Sequence, residues 1–234
     1  MAKVLLFGGI DLSDYKVKTV GVPQEGKKTI SLSVTPSGSG SVTGGGNYDE
    51  GQQVTIKATA SSGYKFVQWN DGVTTAERTI VVGSKSASYV AQFAALPSVP
   101  QISLDTTAKT ASLSEKNGYA IKYSTDGSTP TTSSTTYASA IDVSNGATIK
   151  AIAVNGSDVS SVPAITTTYD ENDGTISFAS SASGTIRYTT DGSTPNSSST
   201  AYSSALTPTT GETIKVAVFN GTTLNSEIAT IQIQ

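Results

Sequence analysis

The chain has 234 residues, enough for two or three small domains, with 14% charged residues, 7% aromatics and a formal net charge of −3. That balance argues against a nucleic-acid binder, which needs clustered Lys and Arg, and the absence of cysteine excludes disulfide frameworks and thiolate metal sites. Short β-branched runs lie between Gly-, Ser- and Thr-rich turns, and no sustained helical apolar period is present, so the expected fold class is all-β with many short strands.

Residues 1–28 read as an arm. "MAKVLLFGGIDLSDY" holds a short apolar run, Val4, Leu5, Leu6 and Phe7. A secretory signal needs an apolar region of about 7–15 residues, so the expectation is synthesis without export. No apolar run approaches the roughly 20 residues that cross a bilayer as a helix, so no membrane insertion is expected. The four apolar residues would form an exposed patch, the usual mark of an interaction site. "YKVKTV", with Tyr15 and Val17, alternates like a strand and could extend a partner's sheet edge. The alternative reading makes the arm the first strand of the module that follows.

Residues 29–95 form that module. "TISLSV" puts Ile30, Leu32 and Val34 on one face, and "QVTIKATA" puts Val54, Ile56 and Ala58 on one face. "GYKFVQWNDG" carries Tyr64, Phe66 and the only tryptophan, Trp69, and "RTIVV" and "SYVAQF" close the segment. The pattern from "SVTPSGSGSVTGGGNYDEG" through "GYKFVQWNDG" to "YVAQF" resembles the divergent InlB B-repeat family. The resemblance implies a small β-rich repeat of the kind found on bacterial surface proteins, built around Gly63, Tyr64, Phe66 and Trp69. "LPSVP", residues 96–100, reads as a short, semi-stiff linker.

Residues 101–169 and 170–234 are two copies of one unit. They align without a gap at a fixed offset of 65, from Tyr123 to Tyr188, and about half the positions from Ile121 to Ser161 are identical to their partners. That is longer than the usual solenoid period, so the copies read as tandem domains. "IKYSTDGSTPTTSSTTY" with "ATIKAIAV", and "IRYTTDGSTPNSSSTAY" with "ETIKVAVF", resemble the C-terminal domain of chitobiase and β-hexosaminidases. The resemblance implies an immunoglobulin-like or fibronectin III-like sandwich that accompanies catalytic domains without carrying their hydrolytic residues.

The repeated Ser/Thr-rich sentence has a local physical reading. Tyr123 and Tyr188 end a strand. Asp126-Gly127 and Asp191-Gly192 make the turn, since glycine supplies positive φ. Pro130 and Pro195 take the chain out of the sheet, and Tyr137 and Tyr202 return an aromatic to the core.

Chemistry is sparse. Histidine and cysteine are absent, which removes the common general base and nucleophile pairs. Asp71, Asp126 and Asp191 each precede a turn glycine in a different module, so a glycosidase carboxylate pair is not expected. "TDGST" supplies one carboxylate where Ca²⁺ takes about 6–8 oxygen ligands, and "DENDG" (Asp170–Gly174), though richer, lies at a module junction without EF-hand spacing, so turns are the better reading. Trp69 and the tyrosines fit core positions better than a sugar platform. No enzyme activity, cofactor or metal is therefore expected. The expected role is a structural virion protein of a bacteriophage, such as a capsid decoration or head-fibre protein. The arm would anchor it to capsid or other virion proteins, with a host-surface glycan as a second partner class and homo-oligomerisation left open. The alternative is a bacterial cell-surface adhesin or carbohydrate-binding accessory protein.

Overall fold

A computed structural model describes residues 26–234, so Val4, Leu5, Leu6, Phe7, Tyr15 and Val17 of the anchoring arm lie outside the described residues. No helix occurs among the described residues.

The first module has seven strands: β1 (Lys28–Thr35), β2 (Gly40–Thr43), β3 (Gly46–Tyr48), β4 (Gln53–Ala60), β5 (Tyr64–Trp69), β6 (Glu77–Val81) and β7 (Ala87–Ala95). They form two sheets, in the orders β3-β1-β7-β5 and β2-β4-β6, with β1 and β7 parallel. Alternation along β4 buries Val54, Ile56 and Ala58, which join Ile30, Trp69, Val82, Ala91 and Phe93 in one core. Strict alternation would put Phe66 and Gln68 on one face and turn Trp69 away. A register shift between Phe66 and Gln68 resets the phase, so Trp69 points inward with Phe66 and Val67 is left 40% exposed.

The repeats follow. The first contributes β8 (Gln101–Asp105), β9 (Thr110–Ser114), β10 (Ala120–Ser124), β11 (Thr135–Thr136), β12 (Ile141–Asp142), β13 (Ala147–Asn155) and β14 (Asp158–Val159). The second contributes β15 (Ile165–Asp170), β16 (Thr175–Ser180), β17 (Thr185–Thr189), β18 (Thr200–Ala201), β19 (Thr213–Asn220), β20 (Thr223–Leu224) and β21 (Ala229–Ile233).

Two sheets run through both repeats. One has the order β11-β10-β13-β15-β16 and the other β12-β9-β8-β21-β19-β17-β18. In the second repeat the β15–β16 hairpin lies in one layer and β17, β19 and β21 in the other. Phe178 of β16 meets Tyr202 across the layers at 5.4 Å, and the Phe178 backbone N–H donates to the Tyr202 hydroxyl. The first repeat is built the same way, with β8–β9 opposite β10 and β13. Each repeat is thus a sandwich, and the two are fused edge to edge in both layers.

The fusion uses two seams. β15 pairs antiparallel with β13 of the first repeat and with β16 of the second, so one strand closes one sandwich and opens the next. The boundary at residues 169 and 170 therefore falls inside β15. On the other layer β21 pairs parallel with β8, Ile231 opposite Ile102 and Ile233 opposite Leu104. Ile149, Ile165, Ile176, Ile214 and Ile231 all belong to a single core that crosses both repeats. Units of about 65 residues bury little surface alone, and sharing a core relieves that limit.

Candidate functional site

The two Ser/Thr-rich loops are built bond for bond alike. Gly127 and Gly192 adopt φ of 79° and 78°. The Asp126 carboxylate accepts the Ser128 N–H at 2.9 Å, and Asp191 accepts that of Ser193 at 2.9 Å. Gly127 N–H donates to Thr148 O and Gly192 N–H to Thr213 O, each at 2.9 Å. The Ser124 and Thr189 hydroxyls close the loops onto Ser128 O and Ser193 O. Pro130 and Pro195 are buried. Tyr137 and Tyr202 return by donating their N–H to Ile121 O and Ile186 O, and pack edge-on against Tyr123 and Tyr188 at 6.3 and 6.4 Å. The loops spend these polar groups on their own backbones.

Each loop leads into a two-residue edge strand, β11 or β18, at the outer end of its sheet. Short edge strands offer little template for pairing with another chain. Lys122 donates to the Thr136 hydroxyl at 2.6 Å, and Arg187 at the equivalent place donates to Ser199 O at 2.6 Å. These long cations tie each loop to its own sheet.

Trp69 is fully buried and its indole N–H donates to Thr75 O at 3.0 Å, so it offers no face to a ligand. Phe66 and Tyr89 meet it edge-on, at 5.8 and 6.5 Å. The Arg78 guanidinium lies 5.6 Å from the Trp69 ring and 5.1 Å from that of Tyr89, and binds Asp71 at 2.6 Å. That guanidinium holds the Asp71 carboxyl below the usual range. Hydrogen bonds from Ser128 and Ser193 lower Asp126 and Asp191. Each of the three is held as an acceptor by donors close to it in the chain, Arg78, Ser128 and Ser193.

Among the described residues no group of three or more His, Cys, Asp or Glu side chains converges as a metal site would require. The "DENDG" turn instead places Glu171 against Lys109 at 2.7 Å, and Asp170 accepts the Asn172 N–H. The turn borders an open, polar cleft of about 370 Å³ between Thr125, Asn145, Thr148, Thr168 and Asn172. Tyr169, the aromatic at its wall, is buried.

The sequence reading missed a cluster at the joint between the first module and the repeats. Glu115 accepts from the Ser98 N–H and hydroxyl at 2.9 and 2.6 Å, and from the Asn117 and Tyr119 N–H groups. Tyr119 donates its hydroxyl to Ala95 O at 3.1 Å, Asn117 its side-chain amide to Leu96 O at 3.2 Å, and Lys65 pairs with Asp158 at 2.6 Å. One signal was available. Glu115, Asn117, Tyr119 and Asp158 align with Ser180, Ala182, Gly184 and Thr223, so the copies differ where the first one meets its neighbour.

The fold and loops define a tandem array of small β modules: one two-sheet module, then a fused pair of immunoglobulin-like sandwiches. Comparison with known families gives the modules their kinds. Residues 30–97 match the divergent InlB B-repeat domain, residues 104–167 the chitobiase/beta-hexosaminidase C-terminal domain, and residues 175–233 the Fn3 associated domain. The second repeat thus matches a different family description from the first despite their shared loop. No curated protein matches the chain. Modules of these kinds in this order point to a surface or adhesion array.

Proposed function

We propose that the chain is a non-enzymatic display protein of a bacteriophage particle, with residues 1–28 as the anchor and the three modules projecting outward. The observation that carries the display reading is the tandem build itself, in which the repeated loops satisfy their own polar groups and spend their aromatics on cores. Such modules supply reach and surface rather than chemistry. The apolar run from Val4 to Phe7 in the sequence supports the anchor, since such a run would mark an interaction site if left in water. The open cleft beside the "DENDG" turn, rimmed by hydroxyl, amide and carboxylate groups, supports weak contact with a host-surface glycan.

The second reading is a bacterial cell-surface adhesin or carbohydrate-binding accessory protein, favoured by the divergent InlB B-repeat match over residues 30–97. A pull-down from infected and uninfected cells separates the two, comparing the full chain with one lacking residues 1–28. Retention of the full chain alone on capsid or tail particles supports arm anchoring. Binding of both forms to cell-wall polysaccharide, and of neither to particles, replaces the virion reading with the adhesin one.

A further inference from the structure

The segment between the first module and the repeats looks like a linker in sequence, yet every residue of it is buried or half-buried. None of residues 96–100 is exposed, and Pro97 and Pro100 are buried. Val99 and Pro100 line a small apolar gap with Ile102, Ile149, Pro163 and Ile231, at the seam where the two repeats fuse. Upstream, the Leu96 N–H donates to Gly63 O of the first module. A flexible tether would leave its backbone to water. Here the chain passes from one core to the next with no fully exposed residue, Ser98 and Val99 being half-buried beside a cleft they share with Gln101, Ser114 and Lys116.

Polar contacts hold the same passage from two places, the β9–β10 turn and the Lys65–Asp158 pair. The Glu115 carboxylate binds the N–H and hydroxyl of Ser98 in the middle of the segment. Tyr119 and Asn117, from the β9–β10 turn, donate to the carbonyls of Ala95 and Leu96 where the first module ends. On another element, Lys65 of β5 pairs with Asp158 at the start of β14, with Asp158 only 21% exposed. The second repeat has a serine, an alanine, a glycine and a threonine at the four corresponding places, so its equivalent face lacks these groups. The fit belongs to the first repeat and serves its contact with the module before it.

We infer that this is a fixed joint. The first module and the repeat pair move as one rigid body, with the angle between them set by the Ser98–Glu115 clamp, the Tyr119 and Asn117 donors and the Lys65–Asp158 pair. Ordinary interfaces between tandem domains permit relative motion unless large and apolar. This one replaces area with directional bonds on a connector whose two prolines are buried. The joint would hold on any particle or surface, so it does not rest on the virion reading.

The chain has no cysteine, which makes paired spin labels selective. Thr74→Cys and Ser204→Cys, both at exposed positions, span the joint, and Thr132→Cys with Ser204→Cys reports within the repeat pair. Double electron–electron resonance on the full chain is expected to give a single narrow distance for both pairs. Adding Lys65→Ala, Ser98→Ala, Asn117→Ala and Tyr119→Phe is expected to abolish the narrow peak across the joint and leave the internal pair narrow. A broad distribution across the joint in the unaltered chain overturns the inference. So does a narrow one that survives all four changes. Should the internal pair broaden as well, the milder chain with Ser98→Ala and Tyr119→Phe is read by the same two criteria.

Discussion

The two repeats share their loops almost atom for atom and differ at their borders. Asp126 and Asp191 make the same turn, and Tyr137 and Tyr202 return to the same kind of place. At the border the first repeat carries Glu115, Asn117, Tyr119 and Asp158, and the second carries Ser180, Ala182, Gly184 and Thr223. Gly184 marks how different the local packing has become. A Cβ there would collide with Phe219 O, so no side chain like Tyr119 fits. The turn residues of the loop are kept in both copies, whereas the four positions that face the first module differ.

The sharpest way to break the comparison is to remove one copy's seam. Deleting residues 229–234 removes β21, which sits between β19 of its own repeat and β8 of the other. If the repeats are one folding unit, the truncated chain loses the near-ultraviolet tyrosine signal of both. Trp69, the single tryptophan, keeps its native fluorescence because its core is separate. Persistence of a folded first repeat would show that the seam is incidental.

Point substitutions probe the same unit less drastically. Ile149 and Ile214 are equivalent, and both are nearly or fully buried in the shared core. Replacing either with alanine is expected to cost about 2–5 kcal/mol, by lost transfer energy and the cavity left behind. Both changes should lower one common unfolding transition in denaturant, followed by far-ultraviolet circular dichroism. Two separate transitions, each sensitive to its own isoleucine, would mean two independent domains.

Much of this was legible in the sequence. The gapless offset exposes the repeats, and alternation marks Ile30, Val54, Ile56 and Ala58 as core. The turn chemistry of Asp126-Gly127 and Asp191-Gly192 is local, and local chemistry reads well from one sequence. What stayed hidden is long-range. Nothing in "ITTTYD" announces that β15 pairs on both edges, because such pairing is decided by which neighbours arrive. Nor does "LPSVP" show that both its prolines will be buried, since two prolines and a serine suit a solvated linker equally well. Trp69 was readable as core, but its phase depends on the bulge at Val67, which alternation alone does not predict.

Acid separates the border from the loops. Burial pushes the Glu115 carboxyl up, but the Ser98 hydroxyl and the N–H groups of Ser98, Tyr119 and Asn117 outweigh it and hold it below the ordinary value of 4.5. A value depressed in the folded chain stabilises above the unfolded value, and that contribution is lost as pH falls through the folded one. Glu115→Gln should therefore flatten the loss of stability between about pH 5 and 3, where Glu carboxyls take up protons. Asp126 and Asp191 are also lowered and contribute alike in both chains, so the difference between the two pH profiles isolates the joint. Identical profiles would remove Glu115 from the account.

The smallest expected effect lies at one backbone position. Lys109 adopts φ of 52°, a left-handed conformation, where its equivalent Gly174 adopts 64°. A side chain in that region costs about 1–2 kcal/mol, which glycine avoids. The first repeat accepts this strain and gains the ion pair from Lys109 to Glu171, which reaches the second repeat's own first turn. The comparison then predicts opposite signs. Gly174→Lys should destabilise by about 1 kcal/mol, since it adds the strain without a placed partner. Lys109→Gly relieves strain and loses a half-buried pair, so it should leave thermal stability unchanged or slightly raised at high salt, where the pair is weakened by screening. A clear loss on Lys109→Gly that persists in high salt would show that the lysine holds the two turns together by packing rather than charge.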